Sequence, residues 1–316
     1  MQLQTFVPIP SLKRKINYLS KISSLGSCFA VNISQKLTSF QFQNQVNPLG
    51  ILFHPLALER VIEYAAIDKV FEKDDSFLHN EIWSCFDAHS DMNKLDQEDL
   101  LLKLNAKIKD FKKDLTEASH FILTLGTAWV YRHKTSNQIV ANCHKIPQKE
   151  FDKELLTPEQ VSTSLERLFT QLKSINPNIQ IIVTLSPVRH IKDGMVENQR
   201  SKAHLIVGIH DFMETHSEVF YFPSYEIVMD ELRDYRFFGK DLIHPNEIAL
   251  DYIWEKFVQS CIDSDHFATM QLVNEVQKGL AHRPFNPYSE QHQQFLDKLA
   301  QKLDLLLEQY PFMNFR

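Results

Sequence analysis

Glycine is scarce in this chain, 7 in 316 residues, so the few that occur, several of them at element ends, carry more positional meaning than usual. Cysteine is scarce as well. Cys28, Cys85, Cys143 and Cys261 lie far apart and form no CxxC pair, which argues against a disulfide framework or a zinc knuckle and for reduced thiols. Long apolar runs are missing: no stretch approaches the roughly 18 residues that span a bilayer. The opening "MQLQTFVPIPSLKRKINYLS" has no apolar core followed by a small-residue cleavage site, so a cytoplasmic protein without a membrane partner is expected. A basic excess is missing too. Lys+Arg 34 stand against Asp+Glu 40, for a net charge of −6 with no arginine-rich tract, which argues against nucleic acid as a partner. What the chain does have is 43% hydrophobic residues, enough to bury a sizeable core.

The order of patterns is strand, turn, helix, repeated. "INYLSKISSL" runs into Gly26, after which Phe29, Ile33 and Leu37 recur at helical spacing. A helix is expected from Pro55, an irregular insertion around 67–115 with its loop portion over 67–95, and a buried strand in "SHFILTLGTAWVY" ending at Gly126. Helix "PEQVSTSLERLFTQLKSI", strand "IQIIVTLSPV", helix "NQRSKAHLIVGIHDFMETH", "EVFYFPSYEIV" as a strand running into a turn and a helix opened by Pro245 follow. Such alternation predicts an α/β fold with a mostly parallel sheet covered on both faces, whose sites lie at the carboxyl ends of the strands. From residue 263 two helical segments remain, with Leu296, Leu299, Leu303, Leu306 and Leu307 on one apolar face. The expected division is an α/β domain over 1–262 and a helical extension over 263–316, which packs on the sheet domain or mediates a homodimer.

Chemistry concentrates at the strand ends. In "SSLGSCFAVN" Ser27 and Cys28 stand side by side after a glycine turn. A hydroxyl needs a histidine to take its proton, and that histidine works best when a carboxylate orients it. "GKDLIHPNE" supplies Asp241 and His244 at a spacing that lets the carboxylate reach the near ring nitrogen. Alone, such a pair is common by chance and reads as a cap and a surface histidine. Arg189 and His190 in "SPVRH" follow a buried strand. The guanidinium suits a carboxylate or phosphate, and His190 is a candidate second base or oxyanion donor. An ion pair and a backbone-bonded histidine are the plainer alternatives. "NCHK" brings Asn142, Cys143 and His144 together, but no HxxxH or HExxH helix accompanies it. No metal and no cofactor are therefore expected, and His144 counts as a substrate-binding candidate.

Together these motifs resemble the GDSL-type or SGNH hydrolases, and more closely the GSCFA family, whose signature stands here as "GSCFA" at 26–30. "NPLGILFHPLAL", "TLGTAWVY", "NCHKIP", "TLSPVRH", "NQRSKAHL" and "YFPSYEIVMDELRDYRF" leading into "DLIHPNEIA" agree in order over roughly 20–260. The resemblance implies an SGNH-like three-layer α/β/α sandwich, with Ser27 as nucleophile, His244 as base and Asp241 orienting it. The aspartate of the usual GDS motif is absent. The resemblance also implies an oxyanion hole of backbone N–H groups and an asparagine amide. Ser27 and Gly50 fit the backbone role, while Thr127 and Asn142 both remain open for the side-chain donor. Cys28 is intrinsically the better nucleophile, but it begins an apolar face beside Phe29 and is assigned to packing.

The expected activity is hydrolysis of O-acyl esters, acetyl groups on a carbohydrate among them, through an acyl-Ser27 intermediate. The carbohydrate part rests on fold analogy alone; Trp83, Trp129 and Tyr131 are aromatic candidates for stacking on a sugar ring and equally candidates for the core. An acyltransferase on the same triad and a ligand-binding protein without turnover are the alternatives.

Overall fold

The computed structural model describes residues 5–315. Five strands, β1 (Lys21–Gly26), β2 (Gln43–Val46), β3 (His120–Leu125), β4 (Gln180–Leu185) and β5 (Phe220–Phe222), form one sheet in the order β5-β4-β3-β1-β2. Every neighbouring pair is parallel. The order reverses at β1, so the crevice beyond the carboxyl ends opens beside the Gly26 turn.

The layers follow from the two-residue period of the strands. Leu25, Leu123, Leu125, Ile181, Val183 and Leu185 point into one core, shared with α2 (Pro55–Ala66), α3 (Gln97–Glu117), α4 (Pro158–Ile175) and α5 (Met195–Thr215). Ile22, Ile122 and Ile182 point the other way. They meet α1 (Cys28–Ser39), the helix Glu247–Cys261 and two C-terminal helices, Phe267–Ala281 and Glu290–Gln309. The fold is thus a helix-sheet-helix α/β sandwich with the C-terminal helices laid on one face.

Leu299 and Leu306 are buried in the same cluster as Tyr18 and Phe42, whereas Leu296 is 40% exposed. A side chain at Gly279 would stand 2.5 Å from Leu299 Cδ1, so that glycine lets the two C-terminal helices cross closely.

Four local differences from the sequence-based expectation have physical causes. β2 reads QNQV, with no apolar alternation, because it is a half-exposed edge strand. "TLGTAWVY" is two strands: β3 stops at Leu125, and Trp129–His133 pairs antiparallel with Ile139–Val140 and Phe151–Leu155 in a separate small sheet. "EVFYFPSYEIV" keeps only β5 as strand, since Pro223 cannot continue the ladder and two short helical turns follow, Ser224–Glu226 and Ile227–Glu231. Pro245 does not open the last helix of the sandwich. The cap is Asn246, whose Oδ1 accepts from the Ala249 N–H at 3.1 Å, while Pro245 bridges to Phe238. Within 67–95 lies a small hairpin, Phe77–His79 with Ile82–Ser84. Among the described residues no helix is long and apolar enough to cross a membrane.

Candidate active site

The turn after β1 is built around glycine. Gly26 has φ +145°, and a Cβ there would fall 2.2 Å from the Thr124 carbonyl oxygen of the neighbouring strand; only glycine fits. Ser27 then caps α1, its Oγ accepting the Phe29 N–H at 3.2 Å while its own N–H donates to Thr124 O. Ser27 is 1% exposed. Cys28, first in the helix, is half-buried and lies outside both core clusters, whereas Phe29 is fully buried.

Asp241 and His244 meet as their spacing suggests. Asp241 Oδ2 lies 2.7 Å from His244 Nδ1, and Oδ1 accepts the backbone N–H groups of Ile243 at 2.9 Å and His244 at 3.1 Å. These backbone bonds, with the imidazole partner, hold the Asp241 carboxyl down to about 2. An ionised carboxylate only accepts, so His244 Nδ1 carries the hydrogen and Nε2 is the acceptor of the ring. Both side chains are 47% exposed. Among the described residues Ser27 and His244 share no hydrogen bond.

Arg189 and His190 reach the same edge. The Arg189 N–H donates to Ile243 O at 3.3 Å, and its guanidinium lies over Phe238 at 4.2 Å and Tyr235 at 5.4 Å. It thus fastens the Asp241–His244 loop to the end of β4. The His190 N–H donates to Asn198 Oδ1 at 2.9 Å, and its buried Nε2 has no partner. Burial, then the Lys202 charge, press the ring down to about 4, so His190 is neutral at pH 7. A Cβ at Gly126 would come within 3.1 Å of that Nε2.

The remaining candidates are committed elsewhere. The Gly50 N–H donates to Asn47 O at 2.9 Å, and Gly50 packs on His89 of the insertion. Thr127 is buried, its Oγ1 paired with Ser201 Oγ at 2.8 Å. Asn142 Oδ1 accepts the His144 N–H at 2.9 Å, and His144 Nε2 sits 2.7 Å from Cys85 O beside Phe77 and Phe86. Asn142 and His144 thus brace the insertion. Of the aromatic candidates, Trp129 donates its Nε1–H to Glu197 O at 3.2 Å.

One helix supplies what the sequence reading missed. Asn198, Ser201 and Lys202 of α5 are all buried. Ser201 Oγ also accepts the Ala128 N–H at 2.7 Å. Lys202 Nζ donates to Gly126 O at 2.7 Å and to Ser186 O at 2.6 Å, tying together the segments after β3 and β4. Burial lowers the Lys202 ammonium to about 7. The signal was present: these polar residues continue, at helical spacing, the core face marked by Leu205 and Ile209.

The α/β sandwich thus ends its first strand in a Gly-Ser-Cys turn and docks an Asp-x-x-His loop at the same edge of the sheet. The comparisons place it further. Residues 21–257 match the model of the GSCFA family, and 273–316 match that of the GSCFA domain protein, C-terminal domain; the chain belongs to the GSCFA family. No curated protein matches it in sequence. Among solved structures it is similar to an acetyl xylan esterase (Est2A) from the rumen bacterium Butyrivibrio proteoclasticus, at 13% identity and a TM-score of 0.28. That match covers 84% of this chain and 66% of the other, just under two thirds of its length.

Proposed function

We propose that this protein is a hydrolase of carboxylic esters that works through an acyl-enzyme. The observation that carries the reading is the Asp241–His244 pair, 2.7 Å apart, on a loop tied to the strand-end segment of Arg189. Asp241 fixes the tautomer, so His244 Nε2 is the base that takes the nucleophile's proton and returns it to the leaving alkoxide. The nucleophile belongs to the Gly26 turn, where the family resemblance points to Ser27. His190 Nε2, buried and unpartnered, offers a polar contact to the substrate carbonyl. Half-exposure of His244 favours water as the acyl acceptor over transfer to another hydroxyl. Short O-acyl esters, acetyl first, are the substrate class.

The test is turnover of p-nitrophenyl acetate by the purified protein beside His244→Ala and Asp241→Asn. Loss on the order of a hundredfold or more in both is expected, with thermal unfolding little changed because both side chains are half-exposed. Equal rates in all three proteins would discard the reading and favour a binding protein.

A further inference from the structure

We infer that Arg189 and Arg233 form a subsite for an anionic group, a carboxylate or a phosphate, that the substrate carries beside the His244 loop. As part of a substrate site it rests on the ester-hydrolase reading; as an anion site it stands or falls without it.

Both arginines line one cavity of about 130 Å³, with Met229, Leu232, Tyr235 and Phe238 among its other walls. A whole small-molecule ligand fills roughly 300–1,000 Å³, so this is room for one charged group. Among the described residues neither arginine has a carboxylate partner. Asp234, the acid at the cavity wall, is turned to Arg236 instead: Oδ1 accepts the Arg236 N–H at 2.8 Å, and Oδ2 lies 3.4 Å from Nη2. Positive charge therefore dominates the cavity.

The two side chains are set in place by different means. The half-buried Arg189 guanidinium lies over Phe238 at 4.2 Å and Tyr235 at 5.4 Å. Stacking holds the fork without using its five N–H donors, which suit the paired oxygens of a carboxylate or phosphate. Arg233 follows a widened turn. The Leu232 N–H reaches back five residues to Ile227 O at 3.0 Å, which makes Ile227–Glu231 π-helical, a geometry frequent at functional sites.

The cavity adjoins the base. The Arg189 N–H donates to Ile243 O at 3.3 Å, Phe238 pairs with Pro245, and the Gly239 N–H donates to His244 O at 2.7 Å. Two cavity walls are thus tied through the backbone to the residues on either side of His244. Because His244 returns its proton to the leaving alkoxide, the anionic group belongs to the alcohol half of the ester.

The experiment is titration of the full chain with inorganic phosphate at constant ionic strength, followed by phosphorus NMR, in wild type, Arg189→Met and Arg233→Met. Saturable binding is expected in wild type and about tenfold weaker binding in each variant. Arg233 is exposed, so its substitution keeps the test open should Arg189→Met fail to fold. The substrate role is read from 3-carboxyphenyl acetate against phenyl acetate, whose kcat/KM ratio is expected to fall about tenfold in Arg233→Met. No saturable binding, equal affinity in all three proteins, or an unchanged ratio would overturn the inference, and turnover of phenyl acetate would then leave the ester-hydrolase reading in place. Arginine-dependent phosphate binding with neither ester turned over would instead keep the anion site and remove that reading.

Discussion

Asn47 closes on both polar atoms of Gly26: its Oδ1 accepts the glycine N–H at 2.8 Å, and its Nδ2 donates to the glycine C=O at 3.0 Å. Asn47 itself sits at φ +51°, just past the end of β2, a backbone conformation that asparagine tolerates better than most residues. One side chain thus locks the turn that presents Ser27 and Cys28. Asn47→Ala leaves both Gly26 groups without these partners. We expect a loss of about 2 kcal/mol in urea unfolding and a drop in p-nitrophenyl acetate turnover at least as large as the fall in folded fraction. Unchanged stability would mean that the turn is held by the sheet alone.

Lys202 joins the segments after β3 and β4 through two carbonyls, Gly126 O and Ser186 O. Lys202→Met keeps the length of the stem and removes both donors, leaving two buried acceptors unpaired. The expected cost is about 2–4 kcal/mol in denaturant unfolding. The native ammonium is lowered by burial to about 7, below its unfolded value. The unfolded chain therefore binds the extra proton between those values, and native stability rises with pH across that window. In Lys202→Met this rise should be shallower; an identical slope would place the lysine charge outside the folding balance.

Three histidines act in the same sense at lower pH. His54, His120 and His190 are each pressed down to about 4, chiefly by burial, below the ordinary imidazole value. The folded chain keeps them neutral while the unfolded chain takes up protons. Stability is therefore complete above the unfolded pKa and is lost as pH falls through about 6.5 toward about 4. His120, 1% exposed with its Nε2 2.9 Å from Arg14 O, is the cleanest case. His120→Gln should flatten the acid limb by up to about 1.4 kcal/mol per pH unit, read from urea midpoints at pH 4.5–7.5. A variant as acid-sensitive as wild type would remove His120 from the account.

The alternation of apolar strands with amphipathic helices was legible, and so was the Asp-x-x-His pair, because both depend on neighbours along the chain. The polar edge strand Gln43–Val46 was not, since its pairing with β1 leaves no apolar period. The Trp129–His133 strand was not either, since it is only half-buried and its partners, Ile139–Val140 and Phe151–Leu155, lie in a separate sheet. Asn198, Ser201 and Lys202 were hidden for a related reason: their partners lie on Thr127, Gly126, Ser186 and His190, contacts that local spacing cannot express.

The sequence by itself determined the α/β order, the family signature and the Asp241–His244 pairing, because a two-residue or helical period and a short tight loop are local properties of the chain. Tertiary structure decided that Ser27 is buried at the Gly26 turn as the cap of α1. It also put a buried lysine under the strand ends and left Gly50, Asn142 and His144 with structural partners. Burial and hydrogen-bond occupancy depend on segments that meet only after the sheet has formed, and no reading along one dimension contains them.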